Sequence, residues 1–515
     1  MRCAAAHTAD ERLGTVEAIA VAGGRVVFAG PSTAAQAWRG PQTRALDLPG
    51  CTVVPGFVDA HVHLSGVGFA EAEADLRGAA SFEEAVARTI AFARTSPDEW
   101  IAGRGWDQNL WPGGRFPDHR ALTAAFPDRP VVLHRIDAHA LIANAAAMDR
   151  AGVANLPDPP GGRIVRDERG NPTGTFIDAA MAPFERAQPA PPPARIDRAL
   201  RAAAAACARN GVTAAGEAHT HAADLAALER LAAARALDLR VFTMLADDEA
   251  LLADAFAAGP RDAEHDGRLW IRAVKLFADG ALGSRGAALL QPYADDPATE
   301  GLTCITPDHL ADICDRALRA GFQVCTHAIG DRANRTALDA YERALSPLGP
   351  AAARSRRFRI EHAQVVADAD VKRFAQLGII ASMQTGHLPS DIPWTPSRLG
   401  QARTHEAYAW RALLDAGTIV ANGSDAPIEH LDSMRTFHAA VSDPTRRMTR
   451  EEALRSMTIE SAYANHQEQQ TGSLTPGKYA DFAILDRDIM RIPEDDIRKT
   501  RILATYFAGR CIYEL

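Results

Sequence analysis

Through the middle of the chain, apolar runs alternate with Ala-rich helical runs. Gly211–Ala215 is an apolar segment, Ala222–Ala236 reads as a helix, and Leu239–Leu245 reads as the next strand. Strands separated by helices predict a parallel sheet, because parallel neighbours need a long crossover between them. The repeat predicts an α/β fold of the (β/α)8 TIM-barrel kind, with a doubly wound sheet as the second choice. The chain ends follow a different pattern. Val16–Val21, Gly23-Gly24 and Arg25–Gly30 read as a hairpin, and short β-rich runs return at Ala480–Leu485 and Ala504–Arg510. Residues 1–52 and 470–515 are therefore expected to combine into a small β-sandwich domain, with 53–469 forming the barrel. From about Gly66 to Pro193 the rhythm breaks, around Trp100, Trp106 and Trp111, and the segment closes on Pro189, Pro191, Pro192 and Pro193. It is expected to be a large insertion over the barrel mouth. The Ala-rich run Arg201–Ala208 reads as plain helix former.

Composition narrows the function classes. The chain has 515 residues, more than one hydrophobic core usually organises, which favours a large domain with a smaller companion. Hydrophobic residues at 47% and charged residues at 23% separate it from disordered chains. Lys+Arg number 56 against Asp+Glu 65, so no global positive field would gather phosphate backbones, and nucleic acid is not an expected partner. The seven cysteines include no C-x-x-C pair, which points to a reducing, cytoplasmic setting. Asp10, Glu11 and Glu17 fall where a secretory signal would be apolar, and no apolar stretch of about 18 residues occurs. Neither export nor a membrane partner is expected.

The chemistry concentrates where apolar runs end. Val53–Leu64 ends in His61-x-His63, and on a strand residues i and i+2 face one side, so both imidazoles can meet one metal ion. Three later runs each end in a candidate ligand: Phe322–Thr326 in His327, Phe358–Glu361 in His362, and Thr418–Ser424 in Asp425. In a barrel the carboxyl ends of all strands converge on one rim, so these residues become neighbours. Lys275 sits inside the apolar run Trp270–Phe277. A buried ammonium must pair or lose its charge, and a neutral Lys can add carbon dioxide to become a carbamate able to bridge two cations. Alone, such a Lys more often snorkels or forms a salt bridge.

The order His61-x-His63, Lys275, His327, His362, Asp425 resembles the amidohydrolase superfamily of metal-dependent hydrolases. More narrowly, the chain resembles its amidohydrolase-3 or YtcJ-like branch, which includes N-substituted formamide deformylases. The motifs that carry the likeness are Gly105–Gln108 with Trp111–Gly113, Arg135–Ala140 with Asn144, Lys275–Ser284, His327–Ala333 and Gly423–Pro427. Two positions depart from the branch: Ala138 stands where Gly is usual, and Ala426 where Trp is frequent. A small residue at 426 opens the pocket, so no relative's substrate transfers directly.

The resemblance implies that His61 and His63 hold one ion with Asp425, that His327 and His362 hold a second, and that carboxylated Lys275 bridges them. Zinc is the first expectation from the donor types, with one or two ions. Such an ion lowers the pKa of bound water from 15.7 toward about 7 and polarises a carbonyl, so no Ser or Cys nucleophile is needed. Asp425 is the expected general base and acid. His139, Trp106, Asp107, Asp279 and Arg285 are candidates for substrate contact, and Asp331 for orienting a ligand. His219-x-His221, with Glu217 before it, mimics the first motif but reads as a loop or surface pair, since the six-residue set is complete without it. His430, His438 and His466 are expected outside the metal shell. The expected reaction is hydrolysis of an amide, formamide or cyclic amide C–N bond in a small molecule. The alternatives are ester or lactone hydrolysis or deamination on the same site, or a non-catalytic binding barrel. A homodimer is compatible with the superfamily.

Overall fold

The computed structural model describes residues 1–515. Eight parallel strands form the central barrel: β1 (Phe57–Val62), β2 (Val212–Thr220), β3 (Arg240–Leu245), β4 (Leu269–Phe277), β5 (Gln323–Ala328), β6 (Arg359–His362), β7 (Ile380–Met383) and β8 (Val420–Asn422). Each pairs in parallel with the next from β1 through β8. The last seam is narrow: the Asp425 N–H donates to the His61 carbonyl at 2.7 Å, and the His63 N–H to that of Ala426 at 2.9 Å. Gly423 makes this approach possible, since a Cβ there would stand 2.5 Å from the His61 nitrogen. These strands are buried on both faces, which explains runs such as Leu-Trp-Ile-Arg-Ala-Val-Lys-Leu-Phe in β4.

The helices between strands are built as their sequences require. In Pro307–Ala320, Thr306 caps the first turn by accepting from the His309 N–H, and Gly321, at φ +84°, ends the helix in the left-handed region. Leu310, Ile313, Cys314 and Ala317 fall on one stripe and are buried against the barrel.

Strands from both chain termini make a seven-stranded sheet, in the order Arg510–Glu514, Ile502–Phe507, Phe482–Leu485, Asp47–Pro55, Arg2–His7, Thr15–Ala22, Arg25–Gly30. The hairpin expected near Gly23-Gly24 is its outer edge. A buried ion pair fastens this sheet to the barrel: Arg240 of β3 reaches both oxygens of Asp481, at 2.6 and 3.0 Å.

The segment between β1 and the helix Pro193–Arg209 contains a six-stranded sheet of its own, in the order Gly162–Arg166, Pro172–Asp178, Ala140–Ala143, Val131–Arg135, Ile101–Trp106, Ala74–Asp75. Trp106, Trp111, Leu133 and Ile142 form part of its separate core. Residues from this sheet and from the barrel rim line one shared cavity of about 710 Å³.

Candidate active site

The carboxyl ends of the barrel strands supply the floor of the cavity. His61 Nε2 lies 3.5 Å, and His63 Nε2 3.2 Å, from the same oxygen, Asp425 Oδ1. Ligand atoms of these three residues lie within 4.8 Å of one another. The His362 ring packs 4.9 Å from that of His61 and 4.5 Å from that of His327. Lys275 enters from β4, its ammonium 4.6 Å from the centre of the Phe277 ring. His63, Lys275, His327, His362 and Asp425 all line the cavity, with His61 buried directly beneath.

The hydrogen bonds leave ligand atoms bare. His61 Nε2, His327 Nε2, Lys275 Nζ and Asp425 Oδ1 are buried with no hydrogen-bond partner among the described residues. Buried polar atoms are normally satisfied, so the bare His61 Nε2 and Asp425 Oδ1, grouped with His63 within 4.8 Å of one another, indicate a site completed by something electropositive. The opposite ring nitrogens are fixed. Glu361 Oε2 is 2.6 Å from His61 Nδ1, and Arg359 holds Glu361 through a buried ion pair. Gln384 Oε1 lies 2.7 Å from His362 Nδ1. A partner on one ring nitrogen orients the other toward the cavity, the usual support of a metal-binding imidazole. These donors fit a divalent cation.

Electrostatics agree. Burial, aided by the Lys275 charge, holds the pKa of His61 well below its usual value, and burial with the His362 charge does the same for His327. His362 is pushed down to about 4, chiefly by burial. Neutral imidazoles are the ligand form. Burial also lowers the Lys275 pKa, against the opposing pull of Glu361 and Asp425. For Asp425 burial favours the neutral acid, but His63, His61 and His362 outweigh it and hold the carboxyl below the usual range.

Three rim residues carry backbone strain: His219 and His362 at φ +72°, and Asp425 at φ +55°. Such conformations cost of order 1–3 kcal/mol each and gather at functional sites.

Among the remaining candidates, His139 and Asp107 line the cavity. Asp178 accepts from His139 Nδ1 at 2.6 Å, and the His139 ring lies 4.9 Å from that of His327. Gly280 makes room for this pair, because a Cβ there would fall 2.3 Å from Asp178 Oδ2. Asp107 and Asp137 flank the buried Arg135. Asp279 is buried at the cavity wall and accepts backbone N–H groups of Ala288, Ile329 and Gly330 at 2.8–2.9 Å, which makes it a loop anchor. Its Oδ1 also stands 3.5 Å from His327 Nε2.

Trp106 lies in the core of the inserted sheet, its indole N–H donating to the Leu133 carbonyl at 2.8 Å. Arg285 pairs with Asp295, and Asp331 accepts from the Leu290 and Arg332 N–H groups. The structure therefore brings the six proposed metal-site residues together with His139 and Asp107, while Trp106, Arg285 and Asp331 brace the frame. His219 and His221 both line the cavity, with ring centroids 4.5 Å apart; His219 is half-buried, while His221 is also exposed, as its loop setting suggested. Glu217 is buried and accepts the Leu64 N–H at 2.5 Å.

Sequence reading missed Glu361, Gln384 and His387. His387 Nε2 is buried, without a hydrogen-bond partner among the described residues, 3.8 Å from Asp425 Oδ2. Glu361 did carry a signal, an acid inside the apolar strand Arg359–His362. Gln384 and His387 follow β7, whose end bears no recognisable motif.

A parallel barrel that collects histidines, an aspartate and a buried lysine on its carboxyl-end rim defines a hydrolase of the metal-dependent class. The chain belongs to the amidohydrolase family, whose model matches residues 44–513. It is 33% identical over 506 residues to the amidohydrolase-type protein YtcJ of Bacillus subtilis, covering 92% of this chain and 91% of that one. It is 28% identical over 530 residues to the N-substituted formamide deformylase of Arthrobacter pascens, covering 99% and 97%. A crystal structure of a metal-dependent hydrolase from Pyrococcus furiosus superposes with a TM-score of 0.74 at 30% identity, covering 95% of this chain and 99% of the other.

Proposed function

We propose that the protein hydrolyses a C–N bond of a small amide, formamide or cyclic amide. The observation that carries this reading is the convergence of His61 Nε2, His63 Nε2 and the bare Asp425 Oδ1, beside unpartnered Lys275 and His327. His61, His63 and Asp425 would hold one divalent ion and His327 and His362 a second, with zinc the first choice for such donors. Lys275, buried with its charge disfavoured, could as a neutral amine add carbon dioxide and lose one proton, and the resulting carbamate would supply anionic oxygens to such ions. Bound ions supply a nucleophilic water at neutral pH and polarise a carbonyl.

The chain's own groups do the rest. Glu361, braced by Arg359, keeps His61 Nε2 facing the cavity. Asp425 accepts the proton of the attacking water and returns it to the leaving nitrogen. His139, steadied by Asp178, meets the substrate from the inserted sheet, with Asp107 on the same wall. The neighbouring deformylase supports an amide-type bond, and the seven free cysteines support a reducing, cytoplasmic setting.

The test is a screen of formamides, cyclic amides, esters and lactones with metal-loaded protein. Turnover of amides that a chelator abolishes and added zinc restores supports the reading. Turnover of esters or lactones alone, or activity insensitive to chelation, overturns it.

A further inference from the structure

The cavity wall contributed by the inserted sheet holds a cation that the proposed chemistry does not use. Arg104 lies on Ile101–Trp106 and lines the cavity together with His63 and Asp425. Its side chain is 18% exposed, yet Nε and Nη1 are buried and make no hydrogen bond among the described residues. The nearest acid is Glu73, whose Oε2 stands 3.3 Å from Nε but is itself without a hydrogen bond. On the adjoining strand the register partner is His134, pushed down to about 4 by burial and then by the Arg104 charge, so it offers no compensating anion.

The other cations of the cavity are committed. Arg135 is held by Asp107, Asp137 and Gln108, and Lys275 belongs to the proposed metal site. A guanidinium with bare, desolvated N–H groups is costly unless an acceptor completes it, and a carboxylate matches its planar fork. Glu185 and Glu429 also line the cavity and make no ion pair among the described residues. Glu185 is exposed, so water satisfies it at little cost. Glu429 is half-buried on the barrel side of the cavity, and Glu73 pairs with Arg104 by charge alone, so the Arg104 Nε and Nη1 groups still lack a hydrogen-bond acceptor.

We propose that Arg104 anchors an anionic group of the substrate, and that the substrate class is an N-acyl or N-formyl compound bearing a carboxylate. This rests on the hydrolase reading above for the amide and adds the carboxylate to it.

The test compares N-formylglycine, its neutral analogue N-formylglycinamide and the cationic N-(2-aminoethyl)formamide on the metal-loaded full chain. Where turnover is seen, KM and kcat are read separately; where none is seen, calorimetry gives Kd. We expect the anion to be preferred at least about tenfold. Arg104→Gln should weaken it about 10- to 100-fold, mainly in KM, with Arg104→Lys recovering part of the loss. Because removing Arg104 alone leaves Glu73 without its cation, the double variant Glu73→Gln/Arg104→Gln is measured as well and should lose the preference equally.

The proposal is overturned if wild type does not bind the anion, if the neutral or cationic compound binds as tightly, or if the double variant keeps the preference. Arg104-dependent binding with no hydrolysis of any amide in the broader screen would defeat the amidohydrolase reading alone. Hydrolysis without charge preference would defeat this proposal alone.

Discussion

Two roles are proposed for Asp425, metal ligand and proton acceptor, and one substitution with two readouts separates them. Its Oδ1 faces His61 and His63, and its carboxyl pKa lies below the usual range, burial being outweighed first by the contact from His63. Asp425→Asn keeps the shape but removes the proton acceptor, so kcat should fall by about 10²–10⁴, the usual weight of general acid–base catalysis. Kinetics together with the metal content of the same sample check this; an unchanged kcat would remove Asp425 from that role. Gly280→Ala tests the His139–Asp178 pair without touching either residue. The new Cβ would collide with Asp178 Oδ2, so the variant should lose activity while retaining its metal. At this scale the sequence was most legible where chemistry and periodicity coincide. His61, His63, Lys275, His327, His362 and Asp425 each break an apolar run near its end, a disruption that physical cost makes noticeable. The placement of Trp106 and Arg285 was not legible, because a motif records identity and spacing but not direction; one side chain points into its own sheet and the other toward Asp295.

Among the elements, the join between the terminal sheet and the barrel depends on Arg240 and Asp481, both fully buried. The guanidinium also lies over the Tyr479 and Phe507 rings, 3.7 and 4.5 Å from their centres. Removing one member of a buried pair strands the other charge, so Asp481→Ala should cost about 3–5 kcal/mol in denaturant unfolding. A cost below about 1 kcal/mol would show that the join is carried by apolar contacts instead. The barrel's alternation was readable because its strands are buried on both faces and its helices carry one apolar stripe. The inserted sheet was not. Its strand Ala74–Asp75 has two residues, and Arg104, His134 and Arg135 interrupt the apolar pattern of its neighbours, Arg104 and Arg135 being at the cavity wall.

For the whole molecule, buried neutral histidines set the response to acid. His466 lies outside the cavity and is pushed down to about 2, chiefly by burial, from an ordinary value of 6.5. The unfolded chain binds this proton more readily than the native one, so the stability it contributes is present above pH 6.5 and is lost as pH falls toward 2. Between pH 7 and 5 this single site should cost about 1–2 kcal/mol, and His466→Gln should flatten the dependence by that amount in paired denaturation curves. An identical slope in wild type and variant would contradict it.

The central claim is that barrel rim and inserted sheet together enclose a divalent-metal site around His61, His63, Lys275, His327, His362 and Asp425. A crystal structure of active protein with anomalous data collected across the absorption edge of its metal tests this most directly. The account predicts an anomalous peak within coordination distance of His61, His63 and Asp425, with extra density extending from Lys275 Nζ. Active protein whose metal binds elsewhere, or which contains none, would contradict it.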